Sequence, residues 1–166
     1  VDLYRIAKNM VYGPEAIAFD DEGKMYTTSE DGRIIVLPRD GTDPYDFAQT
    51  EGRPLGLKFD LQGNLIVADA YEGLLSIDTT GEITILSTEC DSLPFLLTDD
   101  LDISSGGIIY FSDASSVNNL ANNGDDWGEP NGRLLAYDPQ TDETSLLLDG
   151  LYFANGVALS SDESFV

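Results

Sequence analysis

The sequence of 166 residues predicts an all-β fold, and within that class a β-propeller built from four-stranded antiparallel blades. Short segments alternate apolar and polar residues with a period of two, which is typical of strands that bury one face. Turn residues separate these segments about every 8 to 12 positions, and no long stripe of period 3.6 indicates a helix. The third observation is an internal repeat with the spacing of propeller blades.

The repeat consists of an apolar strand ending in Asp, a glycine turn, a second strand, another glycine turn and a third strand. Its three copies cover residues 16–37, 56–78 and 100–138. The residues that end the first strand of each copy, Asp20, Asp60 and Asp102, lie 40 and 42 positions apart. A period of about 40 residues with four strands per unit is the spacing of a propeller blade.

The repeat also predicts how the chain divides into blades. The predicted parts are an outer strand of the closing blade (1–12), blade 1 (13–52), blade 2 (53–93), blade 3 (94–151) and the start of blade 4 (152–166). A closed propeller has about 4 to 8 whole blades, so these three and a half blades predict a partial propeller with an open edge. We expect a truncated chain, and a second copy that caps or completes the edge stays open as the alternative.

The charge of the chain is strongly one-sided, with 31 acidic residues, 8 basic residues, no histidine and a net charge of −23. Such a polyanion repels phosphates and anionic lipids, so we expect neither nucleic acid nor a membrane as a partner. The same charge attracts cations, which leaves two interpretations open: a well-solvated acidic surface, or binding of calcium. The single Cys90 has no partner for a disulfide and is expected to be structural.

The sequence leaves the cellular compartment open. No apolar run approaches the about 18 residues of a membrane span, and no basic segment followed by an apolar one opens the chain. We therefore expect a chain without a visible targeting signal, for which a secreted or periplasmic location stays open.

Three oxygen-bearing side chains lie where predicted innermost strands begin: Glu15, Asp99 and Asn155. Innermost strands surround the central channel of a propeller, so these residues are expected to converge near its axis. On the register of Asp20 and Asp102, Asp99 lies two positions further along its strand, which preserves the direction of the side chain. Carboxylate and amide oxygens are ligands that Ca²⁺ prefers. Capping of turns or of backbone amides at strand ends is the alternative for all three.

Four segments carry a family resemblance. They are residues 13–20 (GPEAIAFD), 53–57 with 68–74 (RPLGL and ADAYEGL), 101–113, and 132–139 with 155–160 (GRLLAYDP and NGVALS), the last being the most specific. Together they resemble the N-terminal part of the strictosidine synthase-like family. That family belongs to a wider group of six-bladed propellers with the gluconolactonases, the paraoxonases and adipocyte plasma membrane-associated protein. The resemblance implies a six-bladed parent.

The resemblance also implies a metal site. Metal-dependent members of the group place Glu at the position of Glu15 and Asn at the positions of Asp99 and Asn155, with a further Asp in a later blade. In this sequence Asp99 replaces one Asn, which keeps an oxygen ligand and adds a negative charge.

The implied activity is that of a calcium-dependent hydrolase of small esters or lactones, including aryl esters, or a fragment of one. A histidine base of the paraoxonase type is excluded, because the chain has no histidine. The condensation catalysed by true strictosidine synthases is disfavoured, because their catalytic Glu lies in the last blade. The alternative from another class is a non-catalytic propeller segment that serves interaction or assembly.

Three aromatic residues near the blade edges, Tyr71, Phe95 and Phe153, are weak candidates for a hydrophobic substrate pocket. Packing between blades is the alternative for each, because aromatic side chains contribute large apolar areas to such cores.

Overall fold

The computed structural model describes residues 7, 9–40, 42–121 and 128–166, and these ranges contain strands and turns but no helix. In the described part of the chain, nothing helical is therefore long and apolar enough to cross a bilayer. The strands are β1 (Ile17–Phe19), β2 (Met25–Thr28), β3 (Arg33–Leu37), β4 (Tyr45–Gln49), β5 (Pro54–Phe59), β6 (Leu65–Asp69), β7 (Gly73–Ile77), β8 (Ile83–Ser87), β9 (Glu89–Cys90), β10 (Leu93–Pro94), β11 (Thr98–Ile103), β12 (Ile109–Asp113), β13 (Gly132–Asp138) and β14 (Glu143–Leu151).

The strands form three four-stranded sheets, in the orders β1-β2-β3-β4, β5-β6-β7-β8 and β11-β12-β13-β14, and one small hairpin of β9 with β10. Every pairing is antiparallel between neighbours in sequence. This meander within each sheet is the topology of a propeller blade and confirms the predicted fold class. The outer strand predicted near residues 3–8 falls almost wholly outside the described residues.

In the first and second sheets, the hairpin between the first and second strands is closed by an acidic residue and a glycine. In the first sheet, Asp20 Oδ1 accepts bonds from the amides of Glu22 and Lys24, at 3.0 and 2.8 Å. Gly23 follows with a φ of +79°, a conformation that a side chain would strain. Asp60 and Gly63 repeat the arrangement in the second sheet.

The third sheet shows that the predicted register was wrong by two residues. The counterpart of Asp20 and Asp60 is Ser104, whose amide bonds to the carbonyl of Ile108 in the same way. Asp102 instead lies within β11, opposite Tyr110. An acidic residue within the strand, Asp102, was mistaken for the acidic residue at the turn, where a serine stands instead because its hydroxyl can serve the same role.

The core lies between the sheets, and the second sheet contributes to it from both faces. On one face, Leu65 and Val67 pack with Ile34 and Val36 of the first sheet. On the other face, Ile66 and Ala68 pack with residues of the third sheet: Leu101, Ile109, Phe111 and Leu135. Because successive side chains of a strand point to opposite faces, burial on both sides explains why β6 is an unbroken apolar run.

Residues 155–159, predicted to begin a fourth blade, form no strand in the structure. They instead bond to side chains of the third sheet. The amide of Val157 donates to Asp100 Oδ2 at 3.0 Å, and that of Leu159 donates to Asp102 Oδ2 at 2.7 Å. These bonds place residues 155–159 beside the third sheet, and their assignment to the start of a fourth blade stays a prediction.

Candidate metal site

The three predicted ligands occupy one equivalent position in three of four structural units along the chain. Glu15, Asp99 and Asn155 each lie five residues before the residue that opens the next hairpin turn, as does Leu55 in the second sheet. Those turn residues are Asp20, Asp60, Ser104 and Ser160. The offset of two residues predicted for Asp99 is thus a consequence of the wrong register, and Asp99 is the direct counterpart of Glu15.

The structure brings the three predicted ligands together in one pocket of about 210 Å³. Its lining consists of Glu15, Ala16, Leu55, Gly56, Asp99, Asp100 and Asn155. The second sheet contributes an apolar side chain, Leu55, at the position where the other units contribute oxygen ligands. The pocket therefore has oxygen-bearing side chains from three units and an apolar side chain from the second sheet.

Gly56 allows the inner strands of the second and third sheets to approach closely enough to form this pocket. A Cβ at position 56 would lie 2.7 Å from Asp100 Cα and 2.8 Å from the carbonyl oxygen of Asp99. Both distances are shorter than any side chain tolerates, so the backbone of β11 fills the space that a larger residue would need. The glycine thus fixes how far Asp99 stands from β5.

Asn155 is placed by the backbone bonds of residues 155–159 and by its own side chain. Ser112 Oγ donates to the carbonyl oxygen of Asn155 at 2.6 Å, while Asn155 Nδ2 donates to Asp99 Oδ2 at 3.1 Å. The second bond links two of the predicted ligands directly.

The electrostatics of the pocket are unfavourable for an ionised Asp99. Burial, followed by the charges of Asp100 and Glu15, raises the pKa of Asp99 to about 6. The nearest basic group is Arg53, whose Nη2 lies 3.6 Å from Glu15 Oε1. A cation in the pocket would relieve this repulsion, as expected where carboxylates share a site.

The donor set fits a hard divalent cation such as calcium. Two carboxylates and an amide oxygen are suitable ligands, and water or further protein oxygens complete the 6 to 8 positions or so that calcium takes. Within the described ranges no three His, Cys, Asp or Glu side chains lie close enough to hold a metal by themselves. The candidate site therefore depends on the amide of Asn155 as well as on the acidic residues.

Sequence reasoning missed three residues that shape the pocket. Asp100 adds charge, Ser112 holds Asn155, and Arg53 contacts Glu15. The adjacent acidic residues at positions 99 and 100 were a visible signal. The roles of Ser112 and Arg53 depend on contacts between sheets, for which the sequence has no local pattern.

The aromatic residues predicted for a substrate pocket do not line this one. Phe95 is buried in the core between sheets, where its ring packs edge-on against Phe111 at 5.3 Å and under the Arg133 guanidinium at 5.4 Å. Its predicted pocket role is corrected to packing, the alternative for such aromatics. Tyr71 and Phe153 are exposed.

Comparison with known proteins identifies the family. The profile of strictosidine synthases matches residues 99–166, and that of the N-terminal region of strictosidine synthase-like proteins matches residues 1–37. Strictosidine synthase-like 6 of Arabidopsis thaliana is 41% identical over 167 residues, covering 96% of this chain and 45% of that protein. The chain belongs to the strictosidine synthase-like family. Another relative of this strictosidine synthase-like chain is the adipocyte plasma membrane-associated protein Hemomucin of Drosophila melanogaster, 36% identical over 98% of the chain and 31% of that protein.

Solved structures share the fold of the strictosidine synthase-like chain at low sequence identity. A gluconolactonase from Xanthomonas campestris superposes with a TM-score of 0.78 and 18% identity, over 92% of this chain and 52% of its own. Virginiamycin B lyase from Staphylococcus aureus superposes with a TM-score of 0.67 and 15% identity, over 95% of this chain and 48% of its own. The chain spans about half the length of the curated relatives and solved structures that it matches most strongly.

Proposed function

We propose that this strictosidine synthase-like chain carries the calcium-ligating part of a hydrolase that acts on small esters or lactones. One observation supports the proposal most: Glu15, Asp99 and Asn155 occupy equivalent positions in three units and line one pocket. Among the described residues, no backbone amide donates to the side chain of Glu15 or Asp99. This favours ligation over the capping role that the sequence left open for them.

Each residue of the pocket would have a separate role. Glu15, Asp99 and Asn155 would hold the cation, and Leu55 would give the pocket a wall that excludes water. Bound calcium would polarise an ester or lactone carbonyl and lower the pKa of a water molecule. The carboxyl of Asp99, whose Oδ2 accepts the bond from Asn155, is protonated at acidic pH and ionised near neutrality, since burial raises its pKa to about 6.

The substrate class is suggested by a structural neighbour. The Xanthomonas campestris protein is described as a gluconolactonase, so lactones are the first compounds to test on this chain. Because fold alone does not determine chemistry, the assay must include aryl esters as a second class.

The proposal is tested by measuring hydrolysis of a panel of lactones and aryl esters with calcium, after chelation, and after calcium is restored. We expect activity that is lost on chelation, recovers with calcium, and is absent in Glu15→Gln. Glu82→Gln changes an exposed acidic residue in the β7–β8 hairpin and serves as the matched control. Hydrolysis that is insensitive to chelation, or equal in both variants, contradicts the proposal.

A second candidate function is an assembly module, favoured by apolar side chains exposed on strands of the first and third sheets. Ile17 and Phe19 lie exposed on β1, and Leu147 and Leu148 lie exposed on β14. Exposed apolar patches mark surfaces that bind a partner, and here we propose a second copy of the chain. Light scattering would then give about twice the 18.0 kDa of one chain, with a concentration dependence, whereas a constant mass of 18.0 kDa excludes it.

A further inference from the structure

We infer that Arg53 is a positioning residue for Glu15: its buried guanidinium fixes the direction in which this carboxylate enters the candidate metal pocket. The inference rests on the proposed role of Glu15 as a calcium ligand. Arg53 would then have a function beyond its place in the fold. It would orient Glu15 in the calcium-free site, so that the ligand is already in place when calcium binds.

Arg53 is firmly anchored by its backbone at the start of the inner strand of the second sheet. Its amide donates to Asp69 Oδ1 at 2.9 Å, and its carbonyl accepts from the amide of Ala70 at 2.9 Å. Asp69 is fully buried, and Arg53 itself is only 9% exposed. None of these backbone bonds involves the guanidinium, so substitutions of the side chain leave the anchor in place.

The guanidinium reaches across to the first sheet, where it contacts the chain on both sides of Pro14. Nη2 donates to the carbonyl of Gly13 at 2.7 Å and lies 3.6 Å from Glu15 Oε1. Nη1 is buried and has no hydrogen-bond partner in the described part of the chain. The hydrogen bond and the ion pair that orient the guanidinium are therefore those of Nη2, while the unpaired Nη1 carries a cost of desolvation.

Glu15 needs such a restraint, because its side chain is 57% exposed. Within the described ranges, Arg53 is the residue whose side chain forms an ion pair with it. A free glutamate side chain loses rotamer freedom when it is fixed, which costs free energy. A rigid planar guanidinium that already fixes Glu15 removes part of that cost from calcium binding, whereas a flexible ammonium cannot serve both contacts in one geometry.

Arg53 also has an opposite effect, since its positive charge repels a calcium ion. The two effects can be separated by substitution. Arg53→Lys keeps the charge and loses the planar geometry, while Arg53→Gln loses the charge and shortens the side chain. Positioning predicts weaker calcium binding in the lysine variant, and repulsion alone predicts tighter binding in the glutamine variant with no change in the lysine variant.

The experiment is a calorimetric calcium titration of the wild type, Arg53→Lys, Arg53→Gln and Glu15→Gln, and of each Arg53 variant combined with Glu15→Gln. We expect Arg53→Lys to weaken calcium binding by about tenfold, the scale of loss when a residue that orients a metal ligand is changed. We expect it to change nothing further in the Glu15→Gln background, because the effect passes through Glu15. Thermal unfolding verifies that each variant folds, and if the lysine variant does not, the glutamine variant tests the same coupling.

Two results overturn the inference while the proposed function stands. One is an Arg53→Lys variant that binds calcium as tightly as the wild type. The other is a loss of calcium affinity from Arg53→Lys that is equally large in the wild-type and Glu15→Gln backgrounds. If the wild type binds no calcium, the proposed function fails, and metal-free crystal structures of the wild type and of Arg53→Lys then test whether Arg53 orients Glu15. Positioning is supported if the Glu15 side chain faces Asp99 in the wild type and turns to solvent in Arg53→Lys. The same orientation of Glu15 in both structures overturns it.

Discussion

Asp99 is the residue whose ionisation controls the candidate site. Its pKa is raised to about 6 from an ordinary value of 3.8, so the folded chain holds this proton more tightly than the unfolded chain. The stabilising contribution of the protonated form is complete below the ordinary value and is lost as the pH rises through about 6. Calcium has the opposite preference, because it needs the ionised carboxylate.

We therefore predict that calcium binding weakens as the pH falls below about 6, by up to about tenfold per pH unit. Calorimetry at several pH values measures this directly. Asp99→Asn, which has no proton to lose, is expected to flatten the profile between pH 5 and 7 or so. A wild-type affinity that is constant over this range contradicts a ligand role for Asp99.

Arg133 illustrates a different kind of residue, one that serves the fold. Its Nε and Nη2 donate to Asp113 Oδ2 at 3.0 and 2.6 Å, and both residues are buried. Arg133→Met would leave the carboxylate buried without its counter-ion, which costs about 3–5 kcal/mol of unfolding free energy. Urea unfolding measures the loss.

The matched control is Arg33→Met, because Arg33 also follows the glycine that precedes the third strand of its sheet. Arg33 pairs with Asp31 and Asp46 on the solvent side. An exposed pair of this kind contributes about 1 kcal/mol or less. Equal losses in the two variants would show that burial does not determine the importance of these arginines.

At the scale of single residues, the sequence identified Glu15, Asp99 and Asn155 as candidate ligands because the repeat places them at corresponding positions. It did not identify Arg53, because the partners of this residue, Gly13 and Glu15, precede the first strand of another sheet and lie about 40 positions away in sequence. It assigned Phe95 to a pocket because an apolar side chain in a sequence carries no sign of which surface it will contact.

At the scale of elements, the closest approach in the site is that between β5 and β11. Gly56→Ala would press a methyl group against the backbone of Asp99 and Asp100, where the nearest atoms stand at 2.7 and 2.8 Å. We predict a loss of about 1–3 kcal/mol in unfolding free energy, the usual cost of overpacking. Calcium affinity should fall as well, because β11 carries Asp99.

Gly156→Ala is the control for this substitution, since Gly156 follows Asn155 as Gly56 follows Leu55. A Cβ there would meet Asp100 Oδ2 at 3.8 Å, which is an ordinary contact. We expect a change within about 0.5 kcal/mol by urea unfolding. A larger effect at position 156 than at position 56 contradicts the argument from close approach.

The elements themselves were largely predictable, because alternation and turn glycines are local signals. The exception has a physical reason: the third copy was misaligned because Asp102 lies inside a strand and Ser104 occupies the turn. Residues 155–159 bond through their amides to Asp100 and Asp102, and their place at the start of a fourth blade stays a prediction.

At the scale of the whole molecule, the three sheets share cores in which the second is covered on both faces. The sequence predicted this arrangement through the repeat and the family resemblance. It could not predict which apolar side chains are exposed, because residues such as Phe19 and Leu148 look the same in a sequence whether they face solvent or another blade. The six-bladed parent and the division into blades at the predicted boundaries stay predictions.

The central claim is that residues at one equivalent position of three units converge to bind one calcium ion. Calorimetric titration of the wild-type chain and of Glu15→Ala with calcium tests it most directly, with Glu82→Ala as a control on an exposed acidic residue. We predict one site per chain in the wild type and in the control, and no binding at that site in Glu15→Ala. Calcium binding that is equally strong in all three proteins, or absent from the wild type, would contradict the claim.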